Sequence, residues 1–101
     1  MTLTHYGNWC GPGWSAGQHK DAADLTTEDE RVPAINELDQ LCKEHDIALR
    51  DAETREQVEH INQLFIQRAK DQGITGNVMA QLVSLWDQEN QITQQQQVRH
   101  Y

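Results

Sequence analysis

Apolar residues recur at three- and four-residue steps through the middle of the chain, which is the spacing of one buried face of an α-helix. The first such stripe follows Pro33, a residue that suits the first turn of a helix. The pattern therefore predicts a helix over residues 33–51, with His45 on its buried side. Its stripe consists of Ile35, Leu38, Leu41, Cys42, His45 and Leu49.

A second stripe begins after a capping-box signature, in which Thr54 is followed three residues later by Gln57. A helix is therefore expected over residues 54–71. Because a short turn separates the two helices, they should pack antiparallel, and His45 should face the segment from Glu59 to Asn62. The stripe of this second helix is Val58, Ile61, Asn62, Phe65, Ile66 and Ala69.

Gly73 and Gly76 indicate the break that ends the second helix. A third helix is predicted over residues 77–93, followed by a polar tail over 94–101 that begins with four glutamines. The expected fold class is mainly α, in one domain spanning residues 1–101, because a chain of this length is too short for two cores. The stripe of the third helix is Val78, Leu82, Leu85, Glu89 and Ile92.

Residues 1–32 show no helical period and are predicted to form a loop and a connector. Four glycines cluster between residues 7 and 17, and the charged stretch over 20–31 is typical of a solvated connector. Trp9 and Trp14 suit either core packing or a lipid interface, because indole is amphipathic, whereas Trp86 is expected in the core.

The formal net charge of −8 argues against nucleic acid as a partner, since phosphate backbones are bound through clustered Lys and Arg. The same charge weakens attraction to strongly anionic bilayers. No apolar run is long enough to span a membrane, and the amino terminus has neither a basic start nor an apolar stretch. We therefore expect neither a transmembrane segment nor a signal peptide.

The octet from Asp39 to Asp46 places a histidine and a carboxylate side by side, one helical turn after Cys42. A neutral imidazole can remove a proton from water, which makes His45 a candidate base. Asp46 points about 100° away around the helix, so it suits a cation ligand better than a proton-sharing partner. Asp39 is expected to be a structural hydrogen-bond acceptor.

The glycine-rich loop from Tyr6 to Gly13 can turn alternate carbonyl groups inward at low steric cost. The alternate residues whose carbonyl groups could turn inward are Trp9, Gly11 and Gly13. Calcium takes carboxylate and carbonyl oxygens as ligands. Together with Asp46, the loop therefore suggests a calcium-assisted hydrolase site.

Cys10 and Cys42 are the only cysteines of the chain. Such a pair can form a disulfide, remain as two core thiols, or provide half of a metal site. The metal alternative is the weakest, because the sequence contains neither CxxC nor HxxxH. A bridge would tie the glycine loop to the first helix, one turn before His45 and Asp46.

These segments resemble a known family, the calcium-dependent secretory phospholipase A2 enzymes and their relatives in viral capsid proteins and bacterial toxins. The octet Tyr6–Gly13 is similar to the family's YGxxCGxG calcium loop, and Asp39–Asp46 to its DxxCxxHD helix. Both cysteines fall where the family joins loop to helix. The directly matching segments cover a small part of the chain, and the remainder agrees in its helical pattern.

The resemblance implies hydrolysis of the sn-2 ester of a glycerophospholipid, with a calcium loop in front of two long antiparallel helices. His45 would activate water, and calcium would stabilise the oxyanion with help from the backbone N–H of Gly11. The calcium ligands would be the Asp46 carboxylate and the carbonyl groups of Trp9, Gly11 and Gly13.

Two positions depart from the family pattern. The tyrosine that usually follows the histidine by four residues is Leu49 here. The carboxylate that orients the histidine from the second helix corresponds to Asn62, whose amide oxygen can still accept a hydrogen bond from the ring. Glu59 is a rival orienting residue, but it lies off the apolar stripe.

The expected partner is a phospholipid membrane surface, and an inhibitor or immunity protein is a further candidate. Because a secreted-type site lacks an export signal here, we expect delivery outside the producing cytoplasm in a virion or as a toxin domain, or excision from a longer polypeptide. A catalytically weak relative that binds calcium and lipid, or a protein, is the alternative. The sequence leaves the oligomeric state open.

Overall fold

The computed structural model describes residues 5–92, and the side chains of residues 5–89. The predicted polar tail and the last residue of the predicted third helix lie outside this range. The fold is mainly helical, as expected, with three α-helices and one small two-stranded sheet. The helices are α1 (Glu37–Asp51), α2 (Arg55–Ala69) and α3 (Gly73–Ile92), and the strands of the antiparallel hairpin are β1 (Trp14–Ser15) and β2 (Gln18–His19).

Helix α1 begins four residues later than the sequence pattern predicts. The cause is Asn36, which has extended backbone geometry and whose side-chain oxygen accepts a hydrogen bond from the backbone N–H of Asp39 at 3.0 Å. This N-cap satisfies a donor at the helix start and places Pro33 outside the helix. Ile35 consequently lies outside α1 and is 60% exposed. The other predicted stripe residues are buried or half-buried.

Helix α2 begins with the predicted capping box, because Thr54 accepts from the backbone N–H of Gln57 and the Gln57 side chain accepts from that of Thr54. Its buried positions are Val58, Asn62, Phe65 and Ala69, all on the predicted stripe. Residues equally distant from the turn meet across the helix pair, as His45 and Asn62 do at 2.8 Å. This register is that of antiparallel neighbours.

Helix α3 begins at Gly73, four residues earlier than predicted, so Gly76 lies inside the helix rather than in the break. The reason is close packing, since a Cβ atom at Gly76 would overlap the Ala69 carbonyl oxygen of α2. A glycine at this position lets the two backbones approach, which offsets its low helix propensity.

The predicted stripe of α3 is mostly wrong, because Leu82 is the only one of its members with a described side chain that packs against the core. Val78 and Leu85 are 40% and 62% exposed, and Glu89 is also exposed. The face that packs inward instead carries Gly76, Met79, Ala80, Val83 and Asp87. The periodicity misleads because α3 has apolar residues on two opposite faces, of which only one meets the core.

The amino-terminal region is more ordered than a loop with a solvated connector. The β1–β2 hairpin is followed by short 3-10 turns at Ala22–Asp24 and Asp29–Arg31. Ala22 and Leu25 belong to the hydrophobic core, and Asp29 is buried as well. Within residues 5–92, no helix combines the length and apolar character needed to cross a bilayer.

Candidate functional site

A disulfide joins the glycine loop to α1. Cys10 and Cys42 are bridged, with their Cα atoms 5.1 Å apart. The other interpretations of the cysteine pair, free thiols or a metal half-site, are thereby corrected. The bridge fixes the loop one helical turn before His45 and Asp46.

Asp39 anchors the same loop by hydrogen bonds. Its fully buried carboxylate accepts from the backbone N–H groups of Asn8 at 3.0 Å, Trp9 at 2.8 Å and Ile35 at 3.0 Å. Gly7 has a positive φ of 61° and a Cβ there would overlap this carboxylate, so only glycine allows the loop to approach so closely. Asp39 is therefore the structural acceptor that the sequence suggests.

His45 is buried, at 4% exposure, and its ring is held by α2. Its Nε2 atom lies 2.8 Å from Oδ1 of Asn62, and its ring packs on Phe65 with the ring centroids 4.7 Å apart. Because an amide oxygen can only accept, this contact places the ring proton on Nε2. In the neutral imidazole, Nδ1 then carries the lone pair that a general base needs.

Asn62 itself is held from the other side by α3. Its Nδ2 group donates to Oδ1 of Asp87 at 2.8 Å, and both side chains are buried. His45, Asn62 and Asp87 thus form a chain across all three helices.

Asp46 lies on the opposite side of the His45 ring. Its Oδ1 atom is 3.6 Å from Nδ1 of His45, and its Oδ2 atom accepts from the Ser15 hydroxyl at 2.7 Å. The carboxylate therefore faces β1 of the amino-terminal hairpin. Burial raises the pKa of Asp46 to about 6, against the lowering effects of His45 and Ser15.

The loop carries the carbonyl groups that the sequence assigned to calcium. Gly11 and Gly13 have positive φ values of 129° and 64°, which a side chain would disfavour. The Gly11 oxygen accepts from Trp14 N at 3.3 Å and the Gly13 oxygen from Lys20 N at 3.0 Å. A carbonyl oxygen has two lone pairs, so these bonds leave each of them capacity for a further interaction.

These residues fit a calcium ion in their donor chemistry. Carbonyl and carboxylate oxygens are the donors that this hard cation prefers. The buried Asp46 carboxylate also has its charged form disfavoured by desolvation, which a bound cation would offset. Among residues 5–92, no three His, Cys, Asp or Glu side chains cluster as a metal site. The predicted ligand set, with one carboxylate and three backbone carbonyls, is not a cluster of that type.

An open apolar cleft of about 170 Å³ lies between α1 and α2 beside His45. Its walls are mainly aliphatic and aromatic, and Glu44 and Arg68 provide its charged groups. The cleft therefore offers an apolar chain a binding surface next to the imidazole. Its lining residues are Leu41, Glu44, His45, Ala48, Ile61, Leu64, Phe65 and Arg68.

The three tryptophans differ in burial and in their contacts. Trp9 is fully buried and donates from Nε1 to the Val32 carbonyl at 3.1 Å, so it is a core residue. Trp14 is half-buried and stacks on His5 with the ring centroids 4.6 Å apart. Trp86 is half-buried against the core. The interfacial interpretation is therefore wrong for Trp9.

Sequence reasoning missed Ser15 and Asp87. No motif or periodicity in the sequence marks Ser15 as a partner of Asp46. Asp87 had a usable signal, because it follows Val83 by four residues on the stripe that packs inward. A carboxylate at such a position is buried and must find a hydrogen-bond donor.

Comparison of this chain with protein-family models, with curated proteins and with solved structures finds no match. The resemblance to phospholipase A2 enzymes therefore depends on the loop and helix motifs quoted above.

Proposed function

We propose that the protein is a calcium-dependent phospholipase A2 that hydrolyses the sn-2 ester of glycerophospholipids and so damages or crosses membranes. One observation carries the proposal. The His45 ring borders an apolar cleft with Nε2 held by Asn62, while its Nδ1 side faces a buried Asp46 that accepts from Ser15, and the Cys10–Cys42 bridge ties the glycine loop to the same helix.

In this proposal, His45 acts as general base. With the proton held on Nε2 by Asn62, Nδ1 accepts a proton from a water molecule, which then attacks the ester carbonyl carbon. The ring becomes an imidazolium and later returns the proton to the leaving alkoxide. Packing on Phe65 and the Asn62 hydrogen bond keep the ring oriented throughout.

Asp46 and the carbonyl groups of Trp9, Gly11 and Gly13 would hold the calcium ion. When bound, calcium supplies positive charge for the substrate phosphate and for the oxygen that becomes negative during attack. The backbone N–H of Gly11 would add a hydrogen bond to that oxygen. Ser15 orients the Asp46 carboxylate through its hydroxyl group.

The apolar cleft is the proposed site for an acyl chain, since Leu41, Ile61 and Phe65 line it beside the base. A structural disulfide favours an oxidising compartment. We therefore propose action outside the producing cytoplasm, in a virion or as a toxin domain, with a phospholipid surface as the partner. An inhibitor or immunity protein would protect a producing cell.

The test measures fatty-acid release from phosphatidylcholine vesicles, with free calcium and with a chelator, together with calcium binding by calorimetry. His45→Ala should lower the rate by roughly 10²–10⁴-fold, the usual contribution of a positioned base, while calcium affinity is kept. Asp46→Ala should lose both. His60→Ala is the matched control, because His60 is exposed on α2. Equal calcium affinities in the His45 and Asp46 variants would refute this division of roles.

The amide at position 62 and Leu49 favour a second candidate, a catalytically weak relative that binds calcium and lipid or a protein partner. An amide lacks the charge that would stabilise an imidazolium. Calcium-dependent sedimentation with vesicles, without released fatty acid, would support this binder. Calcium-dependent release of fatty acid would support the enzyme.

A further inference from the structure

Asn62 occupies an unusual position, because each end of its side chain meets a different helix. The residue is fully buried, with Oδ1 2.8 Å from Nε2 of His45 on α1 and Nδ2 2.8 Å from Oδ1 of Asp87 on α3. The two contacts join positions 17 and 25 residues apart in the chain. A buried amide with both ends engaged has little freedom to move.

The amide alone does not determine the state of the histidine. A carboxamide can turn by 180°, exchanging its donor and acceptor ends. With NH₂ towards His45, the ring would offer a lone pair on Nε2 and carry its proton on Nδ1. Nδ1 would then be a donor and could not remove a proton from water.

Asp87 breaks this symmetry. An ionised carboxylate only accepts hydrogen bonds, so it requires the NH₂ end of Asn62 and repels the oxygen end. The oxygen must then face His45, and the ring must present N–H at Nε2. The hydrogen bond to a charged acceptor is also stronger than one between neutral groups.

We propose that Asp87 is a positioning residue that sets the proton location on His45 through the amide of Asn62. Asp87 also supplies a negative charge one amide group away from the ring, where the phospholipase family has a carboxylate in direct contact. The tautomer follows from the contacts alone, whereas its meaning for catalysis depends on the proposed function.

The test is nitrogen-15 NMR of the histidine ring in the chelator-treated protein, at a pH where the imidazole is neutral. Proton-coupled ring signals identify which nitrogen carries hydrogen, and a His45→Gln variant assigns them. In the wild type, His45 should be the Nε2–H tautomer. An Nδ1–H tautomer there would overturn the proposal without any variant.

Asp87→Asn should raise the Nδ1–H fraction by roughly tenfold, because a charge-assisted hydrogen bond exceeds a neutral one by about 1.4 kcal/mol, which is one decade in an equilibrium constant. Asp71→Asn is the matched control, since Asp71 is exposed between α2 and α3 and loses the same charge. A folded Asp87→Asn protein with the wild-type tautomer fraction would overturn the proposal.

The double variant Asn62→Asp with Asp87→Asn exchanges the two groups while keeping composition and charge. It should restore the Nε2–H tautomer that Asp87→Asn alone loses, because the acceptor then faces the ring directly. A persistent Nδ1–H population in the folded double variant would contradict the proposed chain. These readouts need no substrate, so absence of lipase activity would refute the proposed function and leave this inference tested separately.

Discussion

Two buried aspartates of α1, Asp39 and Asp46, lie seven residues apart and face the same amino-terminal region, yet their surroundings differ. Asp39 accepts three backbone N–H groups, from Asn8, Trp9 and Ile35. Asp46 accepts one hydroxyl, from Ser15, and lies 3.6 Å from His45. Seven residues are nearly two full turns, which explains the shared face.

The difference in hydrogen bonding distinguishes Asp39, a structural carboxylate, from Asp46, a candidate functional carboxylate. Three backbone donors replace the water that Asp39 loses on burial, and they fix the loop in return. Asp46 receives less compensation, and burial raises its pKa to about 6. A carboxylate that remains costly to ionise in the metal-free protein is a functional-site candidate, because a cation would stabilise it.

The structural role of Asp39 is tested most directly by removing its carboxylate. Asp39→Ala should lower the free energy of unfolding by about 4 kcal/mol, because backbone N–H groups of the loop lose a charged acceptor inside the protein. Urea unfolding of the oxidised protein measures this. Asp71→Ala is the control, as Asp71 is exposed. A loss no larger than the control's would show that the loop holds without Asp39.

The disulfide lies between the two aspartates along α1 and is the second test. Replacing Cys10 and Cys42 together by Ser should cost roughly 3–4 kcal/mol, because an unfolded chain without the bridge gains conformational entropy. Urea unfolding compares this variant with the wild type, oxidised and reduced. If the double variant and the reduced wild type differ widely in stability, the serine side chains, and not the lost bridge, cause the change.

The second carboxylate should behave in the opposite way to the first. In calcium-free protein, native Asp46 titrates near pH 6 and the unfolded residue near 3.8, so the native state binds more protons in between. The free energy of unfolding contributed by this group therefore falls as pH rises from about 4 to 6. Asp46→Asn should remove this slope and stabilise the chelator-treated protein at pH 7 by on the order of 2–3 kcal/mol.

Thermal unfolding over that pH range, with and without calcium, measures the effect. Under the proposed function, calcium should stabilise the wild type and leave Asp46→Asn unchanged. A variant less stable than the wild type in chelator would mean that Ser15 and His45 already compensate the carboxylate fully.

A third aspartate gives the smallest expected effect and the opposite pH dependence. Lys20, at 2.8 Å, is the main cause that lowers the pKa of Asp29 to about 2, with help from the Thr26 backbone. Its stabilising contribution is therefore present above about pH 4 and is lost as pH falls towards 2. Lys20→Met should move the acid-unfolding midpoint to higher pH.

Circular dichroism between pH 2 and 5 measures that midpoint. Arg31→Met is the matched control, because it removes the same charge from an exposed pair with Glu28. Identical midpoints in the two variants would show that the backbone of Thr26, and not Lys20, controls Asp29.

The helical pair and the His45–Asn62 contact could be predicted because periodicity and a capping box fix both the faces and the register of α1 and α2. The start of α1 could not, since the N-cap at Asn36 prevailed over the suitability of Pro33 for a first turn. The inward face of α3 was also missed. With apolar residues on two sides, the choice of face depends on the Gly76 contact with α2, which local sequence does not contain.

The candidate site likewise combines residues that local sequence could predict with residues that only tertiary packing brings in. His45, Asp46 and the glycine loop belong to two motifs that can be read in the sequence. A bridge between their cysteines would bring the motifs together, so their proximity could be predicted. Ser15 and Asp87 join the site through tertiary packing alone, from the β1–β2 hairpin and from α3. A strand of two residues, such as β1, is too short to show an alternation of apolar and polar residues. The hairpin that contains Ser15 could therefore not be predicted.

Residues 39–46 carry the loop anchor, one cysteine of the disulfide, the proposed base and the proposed calcium ligand on one helix, in which successive residues are about 100° apart. Inserting or deleting one residue there would turn every later group away from its counterpart, even if each side chain were retained. A substitution can change one of these side chains by itself. A change in the length of the segment would displace the anchor, the disulfide, the proposed base and the proposed ligand relative to one another.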